Sequence, residues 1–190
     1  MTQWDTSRGG LLAVPRHRAY IGMGGNLGDV RAHLLSALAG LDALPGTNVE
    51  AVSPVYRTKP VDADGPDYLN AVAAIQSALG PVELLHALQG LEIAHDRERS
   101  YQNAPRTLDL DLLWYGNVRR QTAHLSVPHP RMTQRAFVLT PLVDVLNTLD
   151  ASADAALLAF MPDEARRTAL AQAQGVTEAG TLDWPIPRLK

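Results

Sequence analysis

The stretch Leu108-Asp109-Leu110-Asp111-Leu112 carries the clearest chemical signal in this sequence. Side chains alternate across a strand, so the three leucines share one face and the two aspartates the other, with Asp Cα atoms roughly 6–7 Å apart. Two carboxylates on one face repel, and partial burial penalises both unless something compensates. Magnesium is suited to that role, because it prefers carboxylate oxygens, keeps water and takes further ligands from phosphates. An amphipathic edge strand with a solvated Asp face has the same pattern, so the neighbouring residues bear on the choice.

Those neighbours are Arg97, Arg99 and Arg106, in the polar segment leading into the strand. A guanidinium presents a planar fork that suits phosphate oxygens and stays charged at any working pH. A solvated basic loop is the plainer alternative. Beside a carboxylate pair, in a chain of net charge -3, these cations suggest a local site for a polyphosphate bridged by metal. On a second strand Tyr68, Asn70, Val72 and Ala74 share a face, setting a ring beside an amide that both donates and accepts. A flat heterocycle is recognised by that pairing, stacking on the ring and hydrogen bonding at its edge. Phe137, two residues after Arg135 and beyond the His129 turn, offers a second ring face. Ordinary core packing of either aromatic is the alternative.

The elements that must hold these residues follow from periodicity. Arg18 to Met23 reads as a strand, ending in a glycine-rich turn. A helix then starts at an Asp29 N-cap, with Leu34, Leu35, Leu38, Leu41 and Leu44 at helical spacing and Pro45-Gly46 as its stop. Val49 to Tyr56 reads as one strand, Arg57 to Asp67 as a loop, and Tyr68 to Ser77 as a strand. Pro81 opens a second helix. Arg97 to Arg106 is a loop, Leu108 to Tyr115 a strand, and Gly116-Asn117 a turn. A helix over about residues 134–146 follows, with Pro141 expected to break or kink it, and the Ala-rich tail adds one or two peripheral helices. Strand, helix, strand, strand, helix, strand is the pattern of an α+β, ferredoxin-like sandwich with an antiparallel sheet and extra C-terminal helices. Residues 1–17 read as an extension, 18–150 as the domain, and 151–190 as a helical extension packed on it or trailing it.

Other chemistries find little support. The chain has no cysteine, which excludes disulfides, thiolate metal sites and a cysteine nucleophile. Gly22, Gly24 and Gly28 miss the spacing of a dinucleotide fingerprint and suit a tight turn and close backbone approach instead. There is no GK[ST] phosphate loop and no G-x-S-x-G elbow. His86, His95, His124 and His129 lack zinc spacing. Basic residues and aromatics do not interleave as on a nucleic-acid surface. No apolar run approaches the roughly 20 residues that span a bilayer, and the first residues make a poor signal peptide, so a cytoplasmic protein is expected.

Taken together, five segments resemble the 6-hydroxymethyl-7,8-dihydropterin pyrophosphokinase family, in the family's order. They are Ala19 to Asp29, Ser53-Pro54-Val55-Tyr56-Arg57-Thr58, Pro66 to Ala71, Ala104-Pro105-Arg106-Thr107-Leu108-Asp109-Leu110-Asp111-Leu112-Leu113, and Val127-Pro128-His129-Pro130-Arg131-Met132 on to Phe137. The resemblance implies a ferredoxin-like fold, ATP with two Mg2+ ions, and transfer of pyrophosphate to the hydroxymethyl group of hydroxymethyl-dihydropterin with release of AMP. It implies that Asp109 and Asp111 hold the metals, and that Arg97 and Arg106 grip phosphates and stabilise transfer. Thr58, Val61, Tyr68, Asn70 and Phe137 would contact the pterin. Glu92, Arg97, Arg99, Arg106, His129 and Arg135 would serve the nucleotide. A monomer or weak homodimer acting on small molecules is expected, with no nucleic-acid or membrane partner.

The chain departs from the family pattern at Gln102-Asn103-Ala104, where many relatives carry an aromatic or arginines. Lys59 replaces a common proline, Gly25 a common serine, and His124 an arginine. These changes bear on ATP grip and loop motion, not on the reaction class. The loops 57–67 and 102–104 are expected to close over ATP. The rivals are a ligand-binding module without chemistry, which has no need of a carboxylate pair beside arginines, and a two-metal nuclease, which needs more metal ligands and a basic groove.

Overall fold

The computed structural model describes residues 15–60, 65–95, 106–150 and 154–185. Val61, Arg97, Arg99 and the Gln102-Asn103-Ala104 segment lie outside the described residues. The first half of the chain forms β1 (His17–Gly25), α1 (Val30–Asp42), β2 (Thr47–Val52), β3 (Tyr56–Thr58), β4 (Tyr68–Ser77), α2 (Pro81–Ile93) and β5 (Asp109–Tyr115). A small hairpin of β6 (Arg120–Gln121) and β7 (Ser126–Val127) leads to a 3-10 turn, Met132–Gln134. The chain continues through α3 (Ala136–Thr148), α4 (Ala155–Phe160), α5 (Glu164–Ala173) and β8 (Thr177–Glu178).

The sheet is antiparallel, with β1 between β4 and β5, and both β2 and β3 paired to the far side of β4. This is the ferredoxin-like α+β sandwich the pattern predicts. Local signals start both helices of the first layer. The Asp29 carboxylate accepts the Ala32 N–H at 3.1 Å and caps α1. Pro81 opens α2, where the Glu83 carboxylate accepts the Gly80 N–H at 2.6 Å.

Alternation then sorts the side chains. Ile21, Met23, Ala71, Ala73, Ile75, Leu110 and Leu112 pack on Leu34 and Leu38 of α1 and Leu84 and Leu88 of α2. Tyr20, Val72 and Ala74 face the other way, onto Val138, Leu142 and Val145 of α3 and Leu157 of α4. A bulge shifts the β5 register: Ile21 pairs with Leu112 but Tyr20 with Trp114. The extra residue, Leu113, puts itself and Trp114 both on the α3 face. Asp109 and Asp111 lie ahead of the bulge, on a stretch of that face where the sheet meets only the start of α3.

Three features differ from the periodicity reading. The strand expected over 49–56 divides into β2 and β3 at Ser53-Pro54-Val55. Pro54 has no N–H for a ladder, and Val55 pairs away from β4, donating to the Gly180 carbonyl and accepting from Ala179 N–H, both at 2.7 Å. Pro141 neither breaks nor ends α3, because it is buried in the helix's packed face, and core contacts outweigh the one missing hydrogen bond. The tail holds the expected two helices and one unexpected strand, β8, which pairs with β3.

Tyr56 joins β3 to α3: its hydroxyl donates to Asp144 Oδ2 at 2.5 Å, and burial followed by that carboxylate pushes the phenol above its usual pKa. Hydrogen bonds to charged partners contribute about 1.5–3 kcal/mol. Tyr56→Phe is therefore expected to lower stability by about 1.5 kcal/mol in urea unfolding, with an unchanged slope. An unchanged midpoint would mean that the bond contributes nothing.

Candidate active site

The bare part of the α3 face forms the floor of a cleft of about 550 Å³. Its floor rows follow from sheet register. Gly24 of β1 lies between Asn70 on β4 and Asp109 on β5, and Gly22 lies between Val72 and Asp111. Glycine is required where these rows are tightest, since a Cβ on Gly24 would lie 2.7 Å from Asn70 Oδ1. The Asn70 amide is buried and donates to Thr58 Oγ1 of β3 at 3.1 Å. Its position is thus fixed from both sides.

The entry to β5 is held just as firmly. Asn26 N–H donates to the Arg106 carbonyl and Arg106 N–H to Asn26 Oδ1, both at 2.9 Å. Gly25 sits against this crossing: a Cβ there would lie 2.3 Å from the Thr107 carbonyl oxygen. Glycine at this position therefore permits the close approach of the two backbones. On the opposite face, the buried Glu92 accepts the Leu110 N–H at 2.8 Å.

Charge in the cleft is unbalanced. Lys59, Arg106, Arg131 and Arg135 line it against Asp109 and Asp111. Arg106 Nη1 lies 2.8 Å from Asp109 Oδ1. Burial works against that guanidinium, but Asp109 outweighs it, helped by Tyr68 and Asp111, and the pKa rises above the usual value. Asp111 is more loosely served, with Arg135 Nη1 at 3.5 Å and His129 Nε2 at 3.9 Å. Burial, then the neighbouring Asp109, hold its carboxyl above the ordinary range despite those cations. Burial keeps His129 below its ordinary value, with Asp111 opposing. Burial and Arg131 pull Arg135 down, and it remains a cation all the same. A polyanion with its own cations would satisfy this arrangement, since it neutralises the arginines and the aspartates together.

Of the residues singled out in the sequence, Thr58, Tyr68, Asn70, Arg106, Asp109, Asp111, Arg135 and Phe137 line one cleft. His129 stands beside Asp111 without lining it, and Glu92 lies beneath β5. Lys59, Arg131, Gln134 and Gln174 line the cleft too but were not picked out as site residues. Arg131 lies within a segment that resembles the family, and Lys59 is a departure from the family pattern. Nothing in the local pattern marks Gln134 or Gln174.

A sequence model of the 7,8-dihydro-6-hydroxymethylpterin-pyrophosphokinase (HPPK) family matches residues 20–147. A 2-amino-4-hydroxy-6-hydroxymethyldihydropteridine pyrophosphokinase of Pseudomonas aeruginosa is 43% identical over 129 residues, covering 67% of this chain and 80% of the relative. The Bacillus subtilis protein of that name is 39% identical over 139 residues, covering 73% of this chain and 83% of the relative. Among solved structures, a Plasmodium falciparum HPPK-DHPS superposes with a TM-score of 0.50 at 14% identity, over 74% of this chain and 40% of that one. That likeness is one of fold.

The raised pKa of Asp111 has a definite sign in stability. The folded protein binds that proton more tightly than the unfolded chain, so stability falls as pH rises from the ordinary carboxylate value through the folded one. With metal chelated, Asp111→Asn is expected to weaken that decline as pH rises above the ordinary carboxylate value, and to match or exceed the native thermal midpoint at neutral pH. A variant clearly less stable than the native protein at neutral pH would show that Arg135 and His129 already compensate the charge in full.

Proposed function

The chain belongs to the 7,8-dihydro-6-hydroxymethylpterin-pyrophosphokinase family, and on that premise we propose that it transfers pyrophosphate from ATP to the hydroxymethyl group of 6-hydroxymethyl-7,8-dihydropterin, a step of folate synthesis. One observation carries the reading: a single cleft holds a half-buried carboxylate pair among arginines together with Tyr68, Asn70, Thr58 and Phe137. The first group suits a metal-bound polyphosphate, the second a flat heterocycle with a polar edge.

Asp109 and Asp111 fit two Mg2+ ions. Their carboxylates line the cleft, the Asp111 charge is disfavoured as it stands, and among the described residues no larger acidic or histidine cluster forms a closed cage. Positions are thereby left for water and phosphate oxygens. When bound, the ions supply charge neutralisation to the polyphosphate. Arg106, braced on Asp109, grips phosphate oxygens and balances charge as it shifts to the leaving AMP. Arg97 and Arg99 belong to the same grip by family resemblance, with Glu92, His129 and Arg135 on the nucleotide side. Phe137 and Tyr68 present ring faces to the pterin and Asn70 its amide, with Thr58 hydrogen-bonded to that amide and Val61 assigned to the pterin by family resemblance alone. The hydroxymethyl oxygen bonds to the β-phosphorus as the bond from that phosphorus to the α-phosphate oxygen breaks, and the hydroxyl proton is released. Alignment and charge stabilisation do most of the work. The reading extends to a cytoplasmic enzyme, monomeric or weakly dimeric, with residues 18–150 as the catalytic domain and 151–190 as a helical extension.

Two measurements test this. The native chain is expected to release AMP from ATP only when pterin and magnesium are both present, and Asp109→Ala to lose about 10²-fold or more of that rate. Folded native protein that releases no AMP would favour a binding module without chemistry. Gly24→Ala is expected to displace the Asn70 amide and weaken pterin binding about tenfold, with smaller change in the KM for ATP. Unaltered pterin affinity would show that Asn70 does not read the pterin edge.

A further inference from the structure

The residues matched by the family end at 147, yet a side chain well beyond them reaches the cleft. We propose that Gln174 is a positioning residue for the pterin wall, holding the start of α3 and, through it, Arg135 and Phe137. The inference rests on the reading above for the identity of the ligand, and on the geometry here for the role of the residue.

Gln174 closes α5, and its side chain makes two bonds across the cleft wall. Oε1 accepts the Ala136 N–H at 2.8 Å, and Nε2 donates to the Gln134 carbonyl at 2.9 Å. The first N–H groups of a helix lack partners within it and need a cap. Arg135 occupies the N-cap position of α3 and makes no side-chain capping bond, since its guanidinium is turned to Asp111 at 3.5 Å. Gln174 supplies an acceptor at the first residue of the helix in its place. Ala136 stands between the two functional side chains, and the Arg135 guanidinium lies 5.4 Å from the Phe137 ring centre. A shift of Ala136 therefore moves the ring face and the cation together.

The same segment also reaches the opposite wall. After Gly175, β8 pairs with β3, Val55 exchanges hydrogen bonds with Ala179 and Gly180, and the Arg31 guanidinium holds the carbonyls of Ala179 and Thr181. β3 carries Thr58, which holds the Asn70 amide. One continuous stretch thus ties the α3 wall to the β3 wall and sets the width between them. General fold stabilisation is a weaker account, because α5 has no fully buried residue and packs only half-buried Leu170 on the α3 core, whereas its link to the site is polar and specific.

The test separates positioning from stability. Pterin binding is measured by calorimetry with a non-hydrolysable ATP analogue and magnesium, beside AMP-release kinetics and thermal midpoints. Losing two hydrogen bonds is expected to raise the pterin Kd and KM roughly three- to tenfold in Gln174→Leu, and to raise the KM for ATP with them, because Arg135 moves together with Phe137. Gln174→Asn, which leaves the amide a methylene short, is expected to act in the same direction and serves if the leucine variant misfolds. Arg167→Ala removes a 2.6 Å bond from α5 to the Pro162 carbonyl, away from the cleft. It is expected to lower the thermal midpoint and leave pterin Kd alone. An unchanged pterin Kd in the Gln174 variants, or an equal rise in Arg167→Ala, overturns the proposal. Calorimetry reads binding alone, so it decides on Gln174 even if AMP release fails.

Discussion

The cleft depends on one electrostatic constraint: two carboxylates stand on a stretch of sheet face that, among the described residues, meets only the start of α3. Had the floor near β5 been apolar, α3 would have slid over it, as it does over Val72 and Ala74. The floor is instead glycine backbone edged by Asn70, Asp109 and Asp111, which gains nothing from a hydrophobic cover. Compensation inside the fold is only partial. Asp109 has a close arginine, whereas Asp111 has cations no nearer than 3.5 Å. Tight pairing of both would have left a stable, inert surface. On the proposed reading, loose pairing leaves Asp111 to be neutralised better by a divalent cation than by the protein, with the cleft arginines turning to the anion that arrives with it.

Keeping that face in register requires an edge strand that does not move. Among the described residues β5 pairs with a strand, β1, on one side only, so alternate N–H groups point outward, where an edge strand is most easily displaced. Glu92 meets one of them, its carboxylate accepting the Leu110 N–H between the two aspartates. From the other end, Asn26 and Arg106 cross-link the glycine turn to the strand entry. The resemblance puts Glu92 on the nucleotide side, and its hydrogen bond gives a physical reason why a buried acid belongs there at all. It fixes the spacing of the carboxylates without touching the cleft.

Much of this was legible because covalent geometry determines it. Alternation put Asp109 with Asp111 and Tyr68 with Asn70, and no tertiary contact can reverse that without a bulge. The bulge at Leu113 falls just after the aspartates, which is why the reading held where it mattered. Asp29 and Pro81 marked their helix starts through local hydrogen bonds and a fixed φ. What escaped was set by distant partners. Ser53 to Val55 looks like continuous strand until Val55 takes the tail as its partner, and a two-residue strand such as β8 has no period to detect. Pro141 is read locally as a breaker, but core burial decides its effect. Gln174 caps a helix that starts 38 residues before it, a distance over which spacing carries no information. The roles of the site residues came from family resemblance, while the residues alone left a wet Asp strand and a basic loop in contention.

Solvation explains why the two ends of the cleft are built so differently. A neutral amide can be buried and locked in advance, because one hydrogen bond to Thr58 offsets most of its desolvation and leaves further donor and acceptor capacity for a ligand. The end proposed for the pterin can therefore be rigid before anything binds, and pre-organisation there would strengthen binding by removing an ordering cost. Charged groups do not allow this. Asp109 and Asp111 keep 28% and 35% exposure, since full burial without a counter-ion would protonate them or unfold the strand. The end proposed for the phosphates must stay open to water until, on that reading, metal and polyphosphate bring their own balance of charge. Side chains can thus be locked in advance on one side only, and there the C-terminal strap attaches, to the start of α3 and to β3, while on the other side the β5 backbone is held by Glu92 and Asn26.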